Sequence, residues 1–267
     1  MSPFKILSMF TPKKPPVCSA VIAAAGTSQR CKGADKLLYE ICGKPVLAHT
    51  VQVFQNCDAV QEIVVVTKVE QLTVVSDMCR ELGFTKVSKV IVGGSTRTES
   101  VLNGVFAVSD KADFIAIHDG ARPFIDCGLI KNTLETAVKY HAAAPGVPVI
   151  STLKRADKSS IRNYGTGSRA VISETVDRSG LYEIQTPQVF KAVIIKAALT
   201  NAVKKQIPLT DDCMAVELIG MPVHIVEGGR RNFKITESDD LKIAEVMLSS
   251  GSLSPAYTSE KSKEDVL

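Results

Sequence analysis

The chain of 267 residues carries 45% hydrophobic and 22% charged residues, the balance of a globular protein long enough to bury one sizeable core without staples. Basic residues number 32 and acidic residues 28, so the net charge of +4 is too even for a protein that coats a polyanion. Aromatics at 5% and the absence of Trp supply a stacking platform for single-stranded nucleic acid only poorly, and no apolar run is long enough to span a bilayer. Neither nucleic acid nor a membrane is an expected partner.

Residues 1–16 are basic, but their apolar stretch is too short for a secretory signal and prolines interrupt it. They are expected to form a flexible leader on a cytoplasmic chain. Apolar runs then alternate with longer amphipathic stretches. The runs are VCSAVIAAA (17–25), EIVVVT (62–67), KVIV (89–92), FIAIH (114–118), GVPVI (146–150) and PVHIV (222–226). Most are rich in β-branched residues, and continuous hydrophobicity marks strands buried on both faces of a parallel sheet. Helices are expected over 46–56, 69–82, 98–108, 129–141, 192–205 and 238–248, the last with Ser238 as N-cap and Asp239 and Asp240 at the positive end of its dipole. This order predicts a single α/β domain over 17–249, built on one doubly wound, mostly parallel sheet of Rossmann-like type.

Over 151–177 the rhythm changes to short strand-like pieces around a Gly/Asn/Ser turn, with few residues for a core. A lone hairpin is marginal in water, so this stretch predicts a projecting β-hairpin arm that packs on a second subunit as a dimerisation arm. The Ser-rich, polar tail over 250–267 is expected to be disordered. The seven cysteines form no CxxC pair and several lie in apolar runs, so they read as reduced thiols; the four histidines lack the spacing of a helical zinc site.

Chemistry concentrates in loops at the carboxyl ends of the expected strands. The first is AAAGTSQRCKGADK (23–36), whose small residues allow backbone N–H groups to approach a phosphate, with Arg30 and Lys36 adding two cations. Its glycines lack the spacing of a dinucleotide fingerprint, and the Walker lysine pattern is absent. The second is GGSTRTES (93–100), where backbone N–H groups and hydroxyls suit a base edge, although Thr98 or Ser100 would also serve as an ordinary cap. The third is HDGARPF (118–124), where Asp119 offers a hard oxygen to a divalent ion and Arg122 faces an anion, unless the two simply pair. His118 reads as a satisfied core histidine. TVDRSGL (175–181), QTPQVF (185–190), LTDD (209–212) and GGRRNFKITESDDL (228–241) follow.

In this order the motifs resemble the 2-C-methyl-D-erythritol 4-phosphate cytidylyltransferase family of non-mevalonate isoprenoid synthesis, over about residues 17–249. The resemblance implies a homodimer that depends on Mg²⁺ or another divalent cation and uses CTP and a polyol phosphate. It places Ala24, Ala25, Gly26, Gly94, Ser95, Ser100, Asp119 and Gly120 at CTP. Arg30, Lys36 and Lys234 become the catalytic cations, and Asp119 the residue beside the metal. Asp119, Arg122, Thr186, Thr210 and Lys234 would surround the polyol phosphate, with Thr152 and Arg178 supplied by the partner's arm. Ser28 and Ser95 depart from the glycine and the acidic residue common in that family. Ribitol 5-phosphate cytidylyltransferases share much of this pattern, and a catalytically silent nucleotide-binding module on the same fold is the reading of another class.

Overall fold

The computed structural model describes residues 15–26, 35–164 and 167–250. Most of the expected leader, nearly all of the expected tail, and the loop stretch 27–34 with Ser28 and Arg30 lie outside the described residues. In chain order, β1 (Cys18–Ala23) is followed by a short hairpin of β2 (Glu40–Ile41) and β3 (Lys44–Pro45), then α1 (Val46–Asn56), β4 (Glu62–Thr67) and α2 (Leu72–Glu81). Next come β5 (Val87–Val92), α3 (Arg97–Ala107), β6 (Phe114–Asp119), α4 (Cys127–Tyr140) and β7 (Ala142–Pro148). The arm holds β8 (Leu153–Ala156), β9 (Arg162–Tyr164), β10 (Gly167–Arg169) and β11 (Ile172–Val176). The chain then returns through β12 (Tyr182–Ile184), β13 (Gln188–Lys191), α5 (Ala192–Lys204), α6 (Asp212–Glu217), β14 (His224–Glu227) and α7 (Ser238–Ser249).

The central sheet has the order β12-β7-β13-β6-β1-β4-β5, with β14 added to β7. β6, β1, β4 and β5 are parallel, β14 runs parallel to β7, and β12 and β13 run antiparallel to their neighbours. Helices cover both faces, as the continuous apolar runs require. Ala20 and Ile22 of β1 face a cluster with Val51 and Phe54 of α1, Val75 of α2 and Leu241 of α7. Val21, between them, faces Val101 and Val105 of α3 and Ile195 and Leu199 of α5. That alternation is the period-2 geometry of a strand, and it needs apolar residues at every position because neither face meets water. α3 sits so close that a Cβ on Gly104 would lie 2.5 Å from Val21 Cγ1 and 2.7 Å from Val66 Cγ2.

Several local expectations are corrected. The last helix is capped by Glu237, whose side chain and that of Asp240 form a reciprocal capping box, so Ser238 is the first helical residue. At α3 the cap is Thr96, which accepts from the Glu99 N–H, and neither Thr98 nor Ser100 caps. Residues 69–71 form a 3₁₀ turn before α2. β7 starts at Ala142, earlier than its hydrophobicity suggests, because pairing with β13 and β14 overrides the weak strand preference of alanine. The last expected strand runs over His224–Glu227. Cys57 and Cys127 are joined as a disulfide, so the expectation that all seven cysteines are reduced fails for this pair. Their 70-residue separation hid it, since spacing cannot reveal a contact made by the fold.

The arm is more elaborate than a single hairpin: β8 pairs antiparallel with β11 at its base, and β9 with β10 beyond. It leaves Ile161, Val171 and Ile172 exposed. Among the described residues no helix is long and apolar enough to cross a membrane.

Candidate active site

β1 and β6 are neighbours in register, with Ala23 opposite Asp119, so the loops that leave their carboxyl ends start side by side. The Gly120 N–H donates to the Ala23 carbonyl at 3.0 Å, and a Cβ on Gly120 would approach Leu47 and that same carbonyl at 3.0 and 3.2 Å. A small residue is needed where the two loops touch. One strand further along, the Gly93 N–H donates to the Thr67 carbonyl, and a Cβ on Gly93 would lie 2.7 Å from the Ala25 Cβ. Ser100, buried in the first turn of α3, accepts from the Gly94 N–H at 3.0 Å and donates to the Thr96 carbonyl at 2.8 Å, which fixes the glycine loop. Ser95 is exposed at its tip.

Asp119 is the centre of charge. Its carboxylate lies 3.0 Å from Lys234 Nζ, 3.3 Å from Arg122 Nε and 3.9 Å from Arg97. Burial would raise this carboxyl, but the charges of Lys234, Arg97 and Arg122 outweigh it and hold the group well below the usual carboxylate range. A cavity of about 160 Å³ opens here, lined by Gly26, Lys36, Arg97, Asp119, Ala121 and Lys234 together with Ala23 and Leu37. Lys36 donates to the Ile235 carbonyl at 2.8 Å. Three cations and one acid on a small cavity leave an excess of positive charge for an anionic ligand.

Lys234 is placed by the backbone around it. The Ile235 N–H donates to the Ala121 carbonyl at 2.8 Å, and the Arg122 guanidinium donates to the Asn232 carbonyl at 2.7 Å. The buried amide of Asn232 donates to the Thr186 carbonyl and to Gln185 Oε1, at 2.8 and 3.2 Å. These bonds pin the segment after β14 against the turn between β12 and β13. Beneath Asp119 lies a second chain of bonds. The Asp119 N–H donates to Thr186 Oγ1 at 3.1 Å, Thr186 Oγ1 lies 3.0 Å from His118 Nδ1, and His118 Nε2 lies 3.2 Å from the Arg122 carbonyl. A carbonyl only accepts, so Nε2 carries the proton and Nδ1 accepts from the Thr186 hydroxyl. Burial pushes the His118 imidazole down to about 4, and the bond to the Arg122 carbonyl only partly offsets it, so the ring is neutral. The reading of His118 as a satisfied core histidine holds.

The structure thus brings Gly26, Lys36, Asp119, Arg122 and Lys234 together, with Ala24, Ala25, Gly94, Ser100 and Gly120 in the adjoining loops. Thr186 is buried with its hydroxyl committed to the bonds with Asp119 and His118. Thr210 is exposed, next to the Asp211 cap of α6, and its hydroxyl faces Met214 Sδ at 3.7 Å. Thr152 and Arg178 are exposed at the roots of the arm and do not line this cavity. Arg30 lies outside the described residues.

Arg97 has no role in the sequence reading, yet it lines the cavity and forms a bidentate pair with the fully buried Asp212, at 2.9 and 2.8 Å. Burial works against the guanidinium charge, but the Asp212 carboxylate outweighs it and holds the proton more firmly. Asp212 is itself fixed by Gln188, whose Oε1 accepts the N–H groups of Asp212 and Cys213 at 3.0 and 3.1 Å. The only signal in the sequence is the position of Arg97 at the start of a helix after a glycine pair; its partner lies 115 residues away.

The sequence matches the 2-C-methyl-D-erythritol 4-phosphate cytidylyltransferase family over residues 18–250. It is 39% identical over 236 residues to the 2-C-methyl-D-erythritol 4-phosphate cytidylyltransferase of Caldanaerobacter subterraneus subsp. tengcongensis, covering 86% of this chain and 98% of the relative. Against the enzyme of the same name from Halalkalibacterium halodurans the identity is 37%, covering 86% and 96%. The crystal structure of 2-C-methyl-D-erythritol 4-phosphate cytidylyltransferase from Thermus thermophilus superposes with a TM-score of 0.68 at 29% identity, covering 86% of this chain and 98% of that one. With its sheet, its cation-ringed Asp119 and these likenesses, the chain belongs to the 2-C-methyl-D-erythritol 4-phosphate cytidylyltransferase family.

Proposed function

We infer that the chain transfers a cytidylyl group from CTP to 2-C-methyl-D-erythritol 4-phosphate, giving 4-diphosphocytidyl-2-C-methyl-D-erythritol and pyrophosphate, as befits a nucleotidyltransferase of isoprenoid precursor synthesis. The observation that carries this reading is the ring of Lys234, Arg122 and Arg97 around Asp119, open to Lys36 across one cavity. The nucleophile is a phosphate monoester whose second pKa is about 6, so near neutral pH it is largely ionised and requires no general base. Neutral, internally bonded His118 is consistent with that. A phosphate oxygen attacks the α-phosphorus of CTP in line as the bond to the departing pyrophosphate breaks. The demand on the protein is to hold two mutually repelling anions in alignment and to place positive charge where negative charge accumulates.

In this reading Lys36 and Arg30 hold the triphosphate and Lys234 neutralises the reacting phosphates. The backbone of Ala24, Ala25 and Gly26 and the Gly94, Ser95 and Ser100 loop take the nucleotide, with Gly120 keeping the two loops close. Arg122 and Thr210 receive the polyol phosphate, and Thr186 acts beneath Asp119. Magnesium is compatible with the donor set: Mg²⁺ commonly takes one or two carboxylates and otherwise phosphate oxygens and water, and Asp119 is the carboxylate on this cavity. Asp119 would hold the ion beside the triphosphate, where it supplies charge neutralisation.

The partner in this reading is a second copy of the chain, docked through the arm so that Thr152 and Arg178 complete the neighbouring site. Support comes from the exposed apolar residues Ile150, Val171 and Ile172, 60 to 64% accessible, on a structure that cannot bury them itself. The expected compartment is the cytoplasm. A pyrophosphate-release assay with CTP and either 2-C-methyl-D-erythritol 4-phosphate or ribitol 5-phosphate tests the function. Turnover should be strong with the first. Preference for the second would move the chain to the ribitol enzymes, and CTP binding without turnover on either would make it a silent module.

A further inference from the structure

Cys57 closes the carboxyl end of α1 and Cys127 is the first residue of α4, and the fold brings them to a Cα–Cα distance of 5.4 Å. That lies within the range a disulfide spans without backbone movement. Cys57 is wholly buried, whereas Cys127 is only partly covered. The carboxylate of Asp58 lies within 4.8 Å of both sulfurs and pairs with Lys131, one turn beyond Cys127, at 2.7 Å. Asp58 is exposed, so this ion pair marks where the sulfurs approach the surface. Asp58 and Lys131 also border a cavity of about 480 Å³ beside α4. The other described cysteines differ. Burial pushes the Cys18 thiol up to about 12 and that of Cys79 to about 11, and it raises Cys213 further still. Cys42 is exposed and is a free thiol.

We propose that Cys57 and Cys127 form a reversible dithiol–disulfide site that exchanges with low-molecular-weight disulfides of the glutathione class. Cys127 is the thiol that reacts first, because it is only partly covered whereas Cys57 is wholly buried. Its thiolate attacks one sulfur of the small disulfide, forming a mixed disulfide and releasing one small thiolate, which takes up the proton that Cys127 lost. The Cys57 thiol then gives up its proton and attacks the Cys127 sulfur, expelling the second small thiol. One S–S bond is exchanged for another and two protein S–H groups become two small-molecule S–H groups. The bond acts on the segment that carries Arg122: Thr50 of α1 already donates to the Gly120 carbonyl at 2.9 Å, and the disulfide ties the far end of that segment to the same helix.

The full-length protein is incubated with oxidised glutathione, mapped by mass spectrometry, and then treated with dithiothreitol without denaturant. The wild type should gain a Cys57–Cys127 link that dithiothreitol removes, and its Tm should rise by roughly 5 °C or more in the linked form, because the closed loop restricts the unfolded chain. Cys57→Ser should trap one glutathione on Cys127, and Cys127→Ser should trap none on Cys57. Four results would overturn the proposal: the wild type keeping both thiols free, a link that maps to other cysteines, a link that resists dithiothreitol until the protein is unfolded, or glutathione trapped on Cys57 in the Cys127→Ser variant.

Discussion

Asp119 shows how a residue's neighbours decide its chemistry. An acid this buried would favour its neutral form, yet the cations of Lys234, Arg97 and Arg122 hold it ionised. Asp119→Asn should raise the Mg²⁺ concentration required for activity, since an amide is a poorer ligand for a hard ion; an unchanged Mg²⁺ titration would leave Asp119 only its ion pairs. Lys36→Ala and Lys234→Ala should each lower kcat by roughly 10²-fold or more, with a much smaller effect on CTP binding, because their charges act most strongly as the phosphate charge shifts. Steady-state kinetics with separately measured CTP affinity distinguish this from simple loss of binding. His118 gives a pH signature. Its folded value of about 4 lies below the ordinary histidine value of 6.5, so the unfolded chain takes up the proton first as pH falls. The associated stability is complete above pH 6.5 and is lost towards pH 4, by an amount of order 3 kcal/mol at most. Urea midpoints measured across that window should fall more steeply for the wild type than for His118→Asn, and parallel curves would remove His118 as the titrating group.

Among the elements, α3 carries the tightest constraint. Gly in a helix costs about 1 kcal/mol relative to Ala, so propensity alone predicts that Gly104→Ala stabilises the protein. Packing opposes it, because the added Cβ would meet Val21 Cγ1 at 2.5 Å and Val66 Cγ2 at 2.7 Å, and overpacking a core costs typically about 1–3 kcal/mol. The clash is with β-branched side chains in buried strands, which cannot swing aside, so the net effect should be destabilisation by about 1 kcal/mol. A chemical denaturation midpoint that rises on this substitution would show that the sheet yields. The same helix places Arg97 on the cavity and Ser100 under the glycine loop, so its distance from the sheet also sets the site.

At the scale of the whole molecule, the arm divides the site between subunits in the proposed homodimer. Arg178→Ala should raise the KM for the polyol phosphate with CTP binding almost unchanged, because Arg178 would contact only that substrate. Mixing Arg178→Ala chains with Lys36→Ala chains gives a sharper test. A heterodimer has one site with both defects and one with neither, so part of the lost activity should return. If subunits exchange, as shown by mass, and no activity returns, each arm serves its own subunit.

The sequence by itself determined the sheet and its helices, because strands covered on both faces need unbroken apolar runs such as EIVVVT and the amphipathic stretches between them have nowhere to pack but on those faces. It also determined the loops that bear Lys36, Asp119 and Lys234, since parallel strands deliver their carboxyl ends to one edge. Short pairings stayed hidden: β2, β3, β12 and β13 have two to four residues each, and helix α6 has six, too few for a periodicity to register. Only the tertiary structure decided that Arg97 pairs with Asp212, that Thr186 and His118 brace Asp119 from below, and that Cys57 meets Cys127. Each joins residues at least 67 apart in the chain or depends on a neighbour that is. Local pattern carries periodicity and capping, whereas a contact across such a distance exists only once the sheet has fixed where both partners lie.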